Sequence, residues 1–168
     1  MNTQRPPSQP DCTWVENCIE ICTGGSVYIE DHGVRATFVN PKRREIRKIH
    51  YDGCYAAAQG PQADFIVGLR GAIDVIVELK GSDTNLKEAA RQVEGTLDAW
   101  REDPKRERAI AALIVFGLIE GPKRLPGRLP RATAVILGLT AEFLKVHKTL
   151  LRIHENGERQ FTFKDFLR

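Results

Sequence analysis

The sequence predicts a mixed α/β domain built around one central sheet, and three observations carry that prediction. Residues 73–80, IDVIVELK, form an apolar, β-branched run of strand length. Residues 109–117, AIAALIVFG, form a second continuous apolar run, the mark of a strand covered on both faces. Between them, NLKEAARQVEGTLDAW places Leu86, Ala90, Val93 and Leu97 on one face of an amphipathic helix. A length of 168 residues suits one domain with a full core. Residues 1–10 (MNTQRPPSQP) read as a disordered tail and residues 11–168 as the single domain.

Taken in order, CTWVENCIEIC (12–22) has Trp14, Cys18 and Ile21 at helical spacing and is stopped by Gly24-Gly25, so a first helix is expected. SVYIEDHGVRATFV reads as a hairpin turning at Asp31-His32-Gly33, and EIRKIHYD (45–52) as a further strand. ADFIVGLRGAIDVIVELK is a second hairpin with its turn near Arg70-Gly71-Ala72. The amphipathic helix then starts from an N-cap at Asp83 or Thr84 and stops before Pro104. After the strand at 109–117, GPKRLPGRLPR has too much proline and glycine for regular structure. ATAVILGLTAEFLKVHK reads as a helix, and LLRIHENGERQFTF as a hairpin over Asn156-Gly157. The expected order is α, several β, α, β, α and a C-terminal β-hairpin.

Composition narrows the function classes only coarsely. With 42% hydrophobic and 28% charged residues, the chain has the balance of a soluble protein, and no apolar run reaches a membrane span. The polar N-terminus lacks the apolar stretch of a signal peptide, so a cytoplasmic location is expected and Cys12, Cys18, Cys22 and Cys54 are expected as reduced thiols. Cys18 and Cys22 stand four apart, but nothing completes a zinc set around them. The net charge of +3 is mild; Lys42-Arg43-Arg44 and the stretch from Lys123 to Arg131 concentrate it in loops, as a polyanion-binding or simply a solvated surface would.

The chemistry concentrates at the end of the 73–80 strand, where Glu78 and Lys80 interrupt apolar residues. If the hairpin is centred on Gly71, residues whose numbers sum to 142 face each other, and Asp64 faces Glu78. Period-two alternation sends Lys80 to the same face as Glu78. Two facing carboxylates repel, and burial raises that cost. A divalent cation relieves both, and Mg²⁺ binds through one or two carboxylates plus phosphate and water. A lysine beside it can position a water or neutralise charge developing on a phosphoryl group. The plain alternative is an ion pair on an edge strand with no chemistry.

The pattern Asp64-x13-Glu78-Leu79-Lys80, on two adjacent strands followed by a helix, resembles the PD-(D/E)XK nuclease superfamily, which includes restriction endonucleases and Holliday-junction resolvases. The resemblance covers roughly residues 12–117 and implies a restriction-endonuclease-like αβββαβ core with a mixed sheet. It implies Asp64 and Glu78 as metal ligands, Lys80 as the catalytic lysine, and Gln92 as a polar helix residue near the site; a solvated Gln92 is the other reading. It also implies an acid from the first helix, where Glu16 or Glu20 would serve if not exposed; Glu20 is taken as the third ligand. Ala63 stands where the motif has proline. Asp52, in Tyr51-Asp52-Gly53-Cys54, is either a substrate contact or a turn-forming Asp-Gly.

The function implied is Mg²⁺- or Mn²⁺-dependent endonucleolytic hydrolysis of nucleic acid, DNA in the first instance. Lys123, Arg124, Arg128 and Arg131 are the expected backbone contacts, because arginine forks match phosphate. A homodimer is open, since small nucleases often cut both strands as dimers, though no self-complementary seam is visible. The competing reading is a catalytically silent nuclease fold that binds nucleic acid or a protein partner. A third, a carboxylate-pair hydrolase of another kind, lacks supporting aromatics, Ser-His pairing or a glycine-rich phosphate loop.

Overall fold

The computed structural model describes residues 9–56, 60–81, 86–117, 131–156 and 160–167, with side chains 131–133 also left aside. Its centre is a mixed seven-stranded sheet. In chain order the strands are β1 (Cys12–Glu16), β2 (Ile19–Cys22), β3 (Ser26–Asp31), β4 (Val34–Val39), β5 (Ile46–His50), β6 (Phe65–Leu69), β7 (Ile73–Lys80), β8 (Ala109–Phe116) and β9 (Leu151–Glu155); the helices are α1 (Leu86–Arg101) and α2 (Arg131–His147). The sheet runs β1-β2-β5-β6-β7-β8-β9, and β3-β4 form a separate hairpin. Pairs from β1 to β7 are antiparallel, whereas β7-β8 and β8-β9 are parallel. Parallel neighbours need a crossover, and α1 supplies the one from β7 to β8.

The sheet has an apolar layer on each face. One holds Val67, Val75, Val77, Leu113 and Val115 against Val27, Ile29 and Phe38 of the β3-β4 hairpin. The other holds Ile49, Ile66, Ile76, Ala112 and Ile114 against Leu86, Ala90, Val93, Leu97 and Trp100 of α1 and Phe143 of α2. All eight residues of β7 except Lys80 are buried, which is why that strand reads as an unbroken apolar run despite Asp74 and Glu78. Asp74 is fully buried and accepts hydrogen bonds from Trp100 Nε1 (2.8 Å) and Glu107 N (2.7 Å), with Arg47 Nη2 at 3.5 Å. Burial pushes its carboxyl up, and these donors pull it back. This network fixes the C-terminal end of α1 to the sheet.

Three expectations are corrected. Residues 12–22 are a hairpin, not a helix: Glu16 pairs with Ile19 around a two-residue loop, and Cys12 faces Cys22. The alternation Ile19-Glu20-Ile21-Cys22 buries one face on each side, which suits a strand beside β5. The cysteines are not free thiols, since Cys12–Cys22 and Cys18–Cys54 are disulfides, and this removes any zinc pair at Cys18 and Cys22. Disulfides are rare in reducing compartments, so the thiol reading no longer supports a cytoplasmic location. The C-terminal hairpin is also absent from the described residues. Phe161 bridges to Phe38 on β4, and Phe38 is ringed by Phe161, Phe163 and Phe166. That aromatic cluster draws the chain away from β9, while Gly157 lies outside the described residues.

Residues 1–8 of the expected tail lie outside the described residues, but Gln9 belongs to the fold: its side chain donates to Ser26 O and accepts from Tyr28 N. Asp83 and Thr84, the expected caps of α1, are likewise not described. No helix among the described residues is long and apolar enough to cross a membrane.

Candidate active site

The β6-β7 register is the one the Gly71 turn dictates. Phe65 faces Val77 and Leu69 faces Ile73, so Asp64, one residue before β6, stands opposite Glu78. Gly71 makes the turn at φ 79°, a left-handed conformation that favours glycine. Asp64 Oδ2 accepts a hydrogen bond from Leu79 N at 2.9 Å, which fixes its carboxylate at the end of the ladder. Lys80 Nζ lies 3.5 Å from Glu78 Oε2, so Lys80 shares the face of Glu78.

Glu78 is 1% exposed, and neither of its oxygens has a hydrogen-bond partner among the described residues. Burial pushes its carboxyl up to about 9, the Asp64 carboxylate adds to that, and Lys80 opposes it. An acid kept this far from water, beside a second carboxylate and with one ammonium 3.5 Å away, is an unfavourable arrangement for a purely structural residue.

Helix α1 positions the segment that leads into Asp64. Thr96 Oγ1 accepts a hydrogen bond from Ala63 N at 2.7 Å, and Gln92 Nε2 donates to Gln62 O at 3.3 Å. A Cβ on Gly95 would come within 2.5 Å of Pro61 O, so only glycine lets the helix lie this close. The Thr96 bond also explains Ala63, because proline has no N–H to donate. Gln92 thus sits beside the approach to Asp64, with its buried Oε1 unpartnered among the described residues. Nothing in the sequence flagged Thr96 or Gly95; their roles depend on which helix face meets residues 61–63.

Glu20 is not brought to this site. Alternation along β2 and β5 places it with Lys48 and Cys22 on the face packed by the β3-β4 hairpin, opposite Glu78. There His50 Nε2 lies 2.7 Å and Lys48 Nζ 3.5 Å from Glu20 Oε2. Burial pushes the Lys48 amine down, and the Glu20 charge works against that. Glu16 is exposed on β1 and pairs with Lys105 at 2.9 Å. Both acids were expected on a helix, and the hairpin sends them elsewhere. Among the described residues no group of three His, Cys, Asp or Glu side chains is arranged to hold a metal. The carboxylates brought together here are those of Asp64 and Glu78.

A cleft of about 290 Å³ opens at this end of the sheet, lined by Glu30, Asp31, His50, Asp52, Asp64 and Phe65. Asp52 reaches it from the turn after β5, where Gly53 has φ 71°, so the Asp-Gly makes the turn and Asp52 faces the cleft as well. His50 stacks on Trp14 at 4.8 Å and meets Phe65 edge-on. Lys123, Arg124 and Arg128 lie outside the described residues; Arg131 begins α2, and its side chain is not described.

Compared with models of protein families, with curated proteins and with solved structures, the chain finds no match.

Proposed function

We propose that this chain is a metal-dependent nuclease, hydrolysing phosphodiester bonds in nucleic acid, DNA in the first instance. The observation that carries the reading is the buried Glu78, facing Asp64, with the Lys80 ammonium at 3.5 Å. Hard carboxylate oxygens in this arrangement suit Mg²⁺ or Mn²⁺, which needs only one or two of them beside water and phosphate. The order β5-β6-β7-α1-β8, with β8 parallel to β7, supports the resemblance to the PD-(D/E)XK core from its first core strand onward. A hairpin stands where that core begins with a helix, so among the described residues no acid from a first helix joins Asp64 and Glu78.

In this reading Asp64 and Glu78 hold the cation. A bound Mg²⁺ or Mn²⁺ supplies Lewis-acid stabilisation of the phosphoryl oxygens and a more acidic coordinated water. Asp64 is held by Leu79 N, which leaves its other oxygen for the cation. Glu78 is pushed toward its neutral form until a second positive charge joins Lys80, so cation binding and Glu78 ionisation go together. Lys80, partly exposed beside Glu78, places its ammonium where negative charge grows on the phosphoryl group. The carboxylates of the cleft repel phosphate otherwise, which makes substrate approach at this end depend on cations.

The test is a cleavage panel of labelled single-stranded, duplex and branched DNA and RNA, each with Mg²⁺, Mn²⁺ and EDTA. Cleavage of at least one substrate with metal, abolished by EDTA and by Glu78→Gln, is expected. Binding without cleavage under every condition would favour the catalytically silent module instead.

A further inference from the structure

The loop Lys42-Arg43-Arg44 has no part in the site above, and the fold places it at the far end of the sheet. Ile46 pairs with Leu69, Leu69 with Ile73 and Ile73 with Ala109, so the segments just outside these residues emerge side by side. They carry Lys42, Arg43 and Arg44, then Arg70, then Arg106 and Arg108, all exposed. Three strand spacings, about 14 Å, span the group. Arg44 Nη2 donates to Arg70 O at 3.2 Å, and Arg70 feels the charge of Glu107, so the three segments are in mutual reach.

Carboxylates stand among these six cations, and Asp103 precedes Arg106 in its loop. Glu45 pairs with Arg70, and Glu107 lies near the same guanidinium. The ion pairs among the described residues leave Lys42, Arg43, Arg106 and Arg108 unpaired. The presenting loop is held from below. Buried Asn40 donates to Gly24 O at 2.9 Å and Arg44 O at 2.8 Å, and accepts from Arg44 N at 3.1 Å. Arg43 is set in the left-handed region at φ 48°. The mild net charge of +3 is unevenly spread: the cleft is lined by Glu30, Asp31, Asp52 and Asp64, with Arg35 paired to Glu30, while Lys42, Arg43, Arg44, Arg70, Arg106 and Arg108 gather at the other end. The eight residues of β7 separate the two ends by about 23 Å.

Arginine forks on a fixed backbone match phosphate oxygens, and the phosphodiester backbone is the polyanion that offers them in a row. Among the described residues the exposed large apolar side chains are Val15, Leu137, Leu144, Val146 and Leu167, none of them in these segments, so the patch lacks wedges for a lipid surface or rings for base stacking. We propose that this basic end of the sheet binds the phosphodiester backbone of nucleic acid, at a place separate from Asp64, Glu78 and Lys80. It would anchor the substrate of the proposed nuclease, but its binding needs neither metal nor cleavage.

Fluorescence anisotropy of a labelled DNA duplex and its RNA counterpart, in EDTA and across a salt titration, tests this. The triple variant Lys42→Gln, Arg106→Gln, Arg108→Gln should weaken binding at low salt at least roughly tenfold and flatten the log–log salt slope by about 2–3. Arg43→Gly, which the backbone at that position accepts, should weaken binding in the same direction, and it decides the matter if the triple variant does not fold. Unchanged affinity and slope in the basic variants would overturn the proposal. So would capture by phosphatidylserine vesicles with no binding to either nucleic acid. A wild type that binds through this surface in EDTA yet never cleaves with Mg²⁺ would overturn the nuclease reading alone.

Discussion

Glu78→Gln should make the metal-free protein more stable at neutral pH, and the structure sets the size. The Glu78 carboxyl is pushed up to about 9 from an ordinary 4.5, with burial as the first cause. At pH 7 it is therefore protonated when folded and ionised when unfolded, so folding must take up a proton. A folded value above the unfolded one gives stability that is complete below about pH 4.5 and lost progressively as pH rises through about 9. At pH 7 the loss is about 3 kcal/mol, from 1.36 kcal/mol per pH unit above the unfolded value. A neutral glutamine escapes it and can direct its amide at Asp64. The variant should melt roughly 6–12 °C higher than wild type at pH 7 in EDTA, given about 2–4 °C per kcal/mol for a chain of this size. At pH 5 the gap should shrink below about 1 kcal/mol by the same linkage. Saturating Mg²⁺ should raise the wild type and leave the variant where it was. A variant less stable at pH 7, or a gap equal at pH 5 and pH 7, would refute the reasoning.

Asp64→Asn should abolish the Mg²⁺-induced rise in melting temperature, because an amide cannot replace the ligand charge; an equal rise in the variant removes Asp64 from the metal site. Asp74→Ala should cost roughly 2–5 kcal/mol in urea unfolding, since it strands the Trp100 indole N–H and the Glu107 N–H, and a cost below about 1 kcal/mol would contradict that role. Cys18→Ser with Cys54→Ser opens a disulfide of sequence separation 36, and chain entropy puts the loss at about 4 kcal/mol. Wild-type stability in that variant would mean that the link contributes nothing to the fold.

The stretch from residue 46 to residue 117 was legible because local rules there agree with each other. Gly71 fixes the turn, alternation fixes the faces, and both give the 64–78 pairing that the structure holds. The first hairpin was illegible for a physical reason. Trp14, Cys18 and Ile21 satisfy a helical period, while the Cys18–Cys54 disulfide and the pairing with β5 that hold residues 12–22 as strands are long-range. That misreading carried Glu20 to the wrong place, since a strand sends it to the face opposite Glu78. At the C-terminus the described residues after the Asn156-Gly157 signal do not pair with β9, because three phenylalanines pack on Phe38, which no local pattern reveals. The bonds from Thr96 to Ala63 and from Trp100 to Asp74 join residues 33 and 26 apart, so only the folded helix shows them.

Lys80 carries the central claim, because its ammonium is assigned to charge that exists in the transition state and not before. The decisive measurement is the single-turnover cleavage rate of wild type and Lys80→Ala on the best substrate with saturating Mg²⁺, alongside substrate affinity with Ca²⁺ in place of Mg²⁺. Lys80→Ala should slow cleavage by roughly 10²–10³, the loss found when one electrostatic stabiliser is removed, and leave affinity nearly unchanged. Full activity in Lys80→Ala, or a loss confined to affinity, would contradict the nuclease reading at its centre.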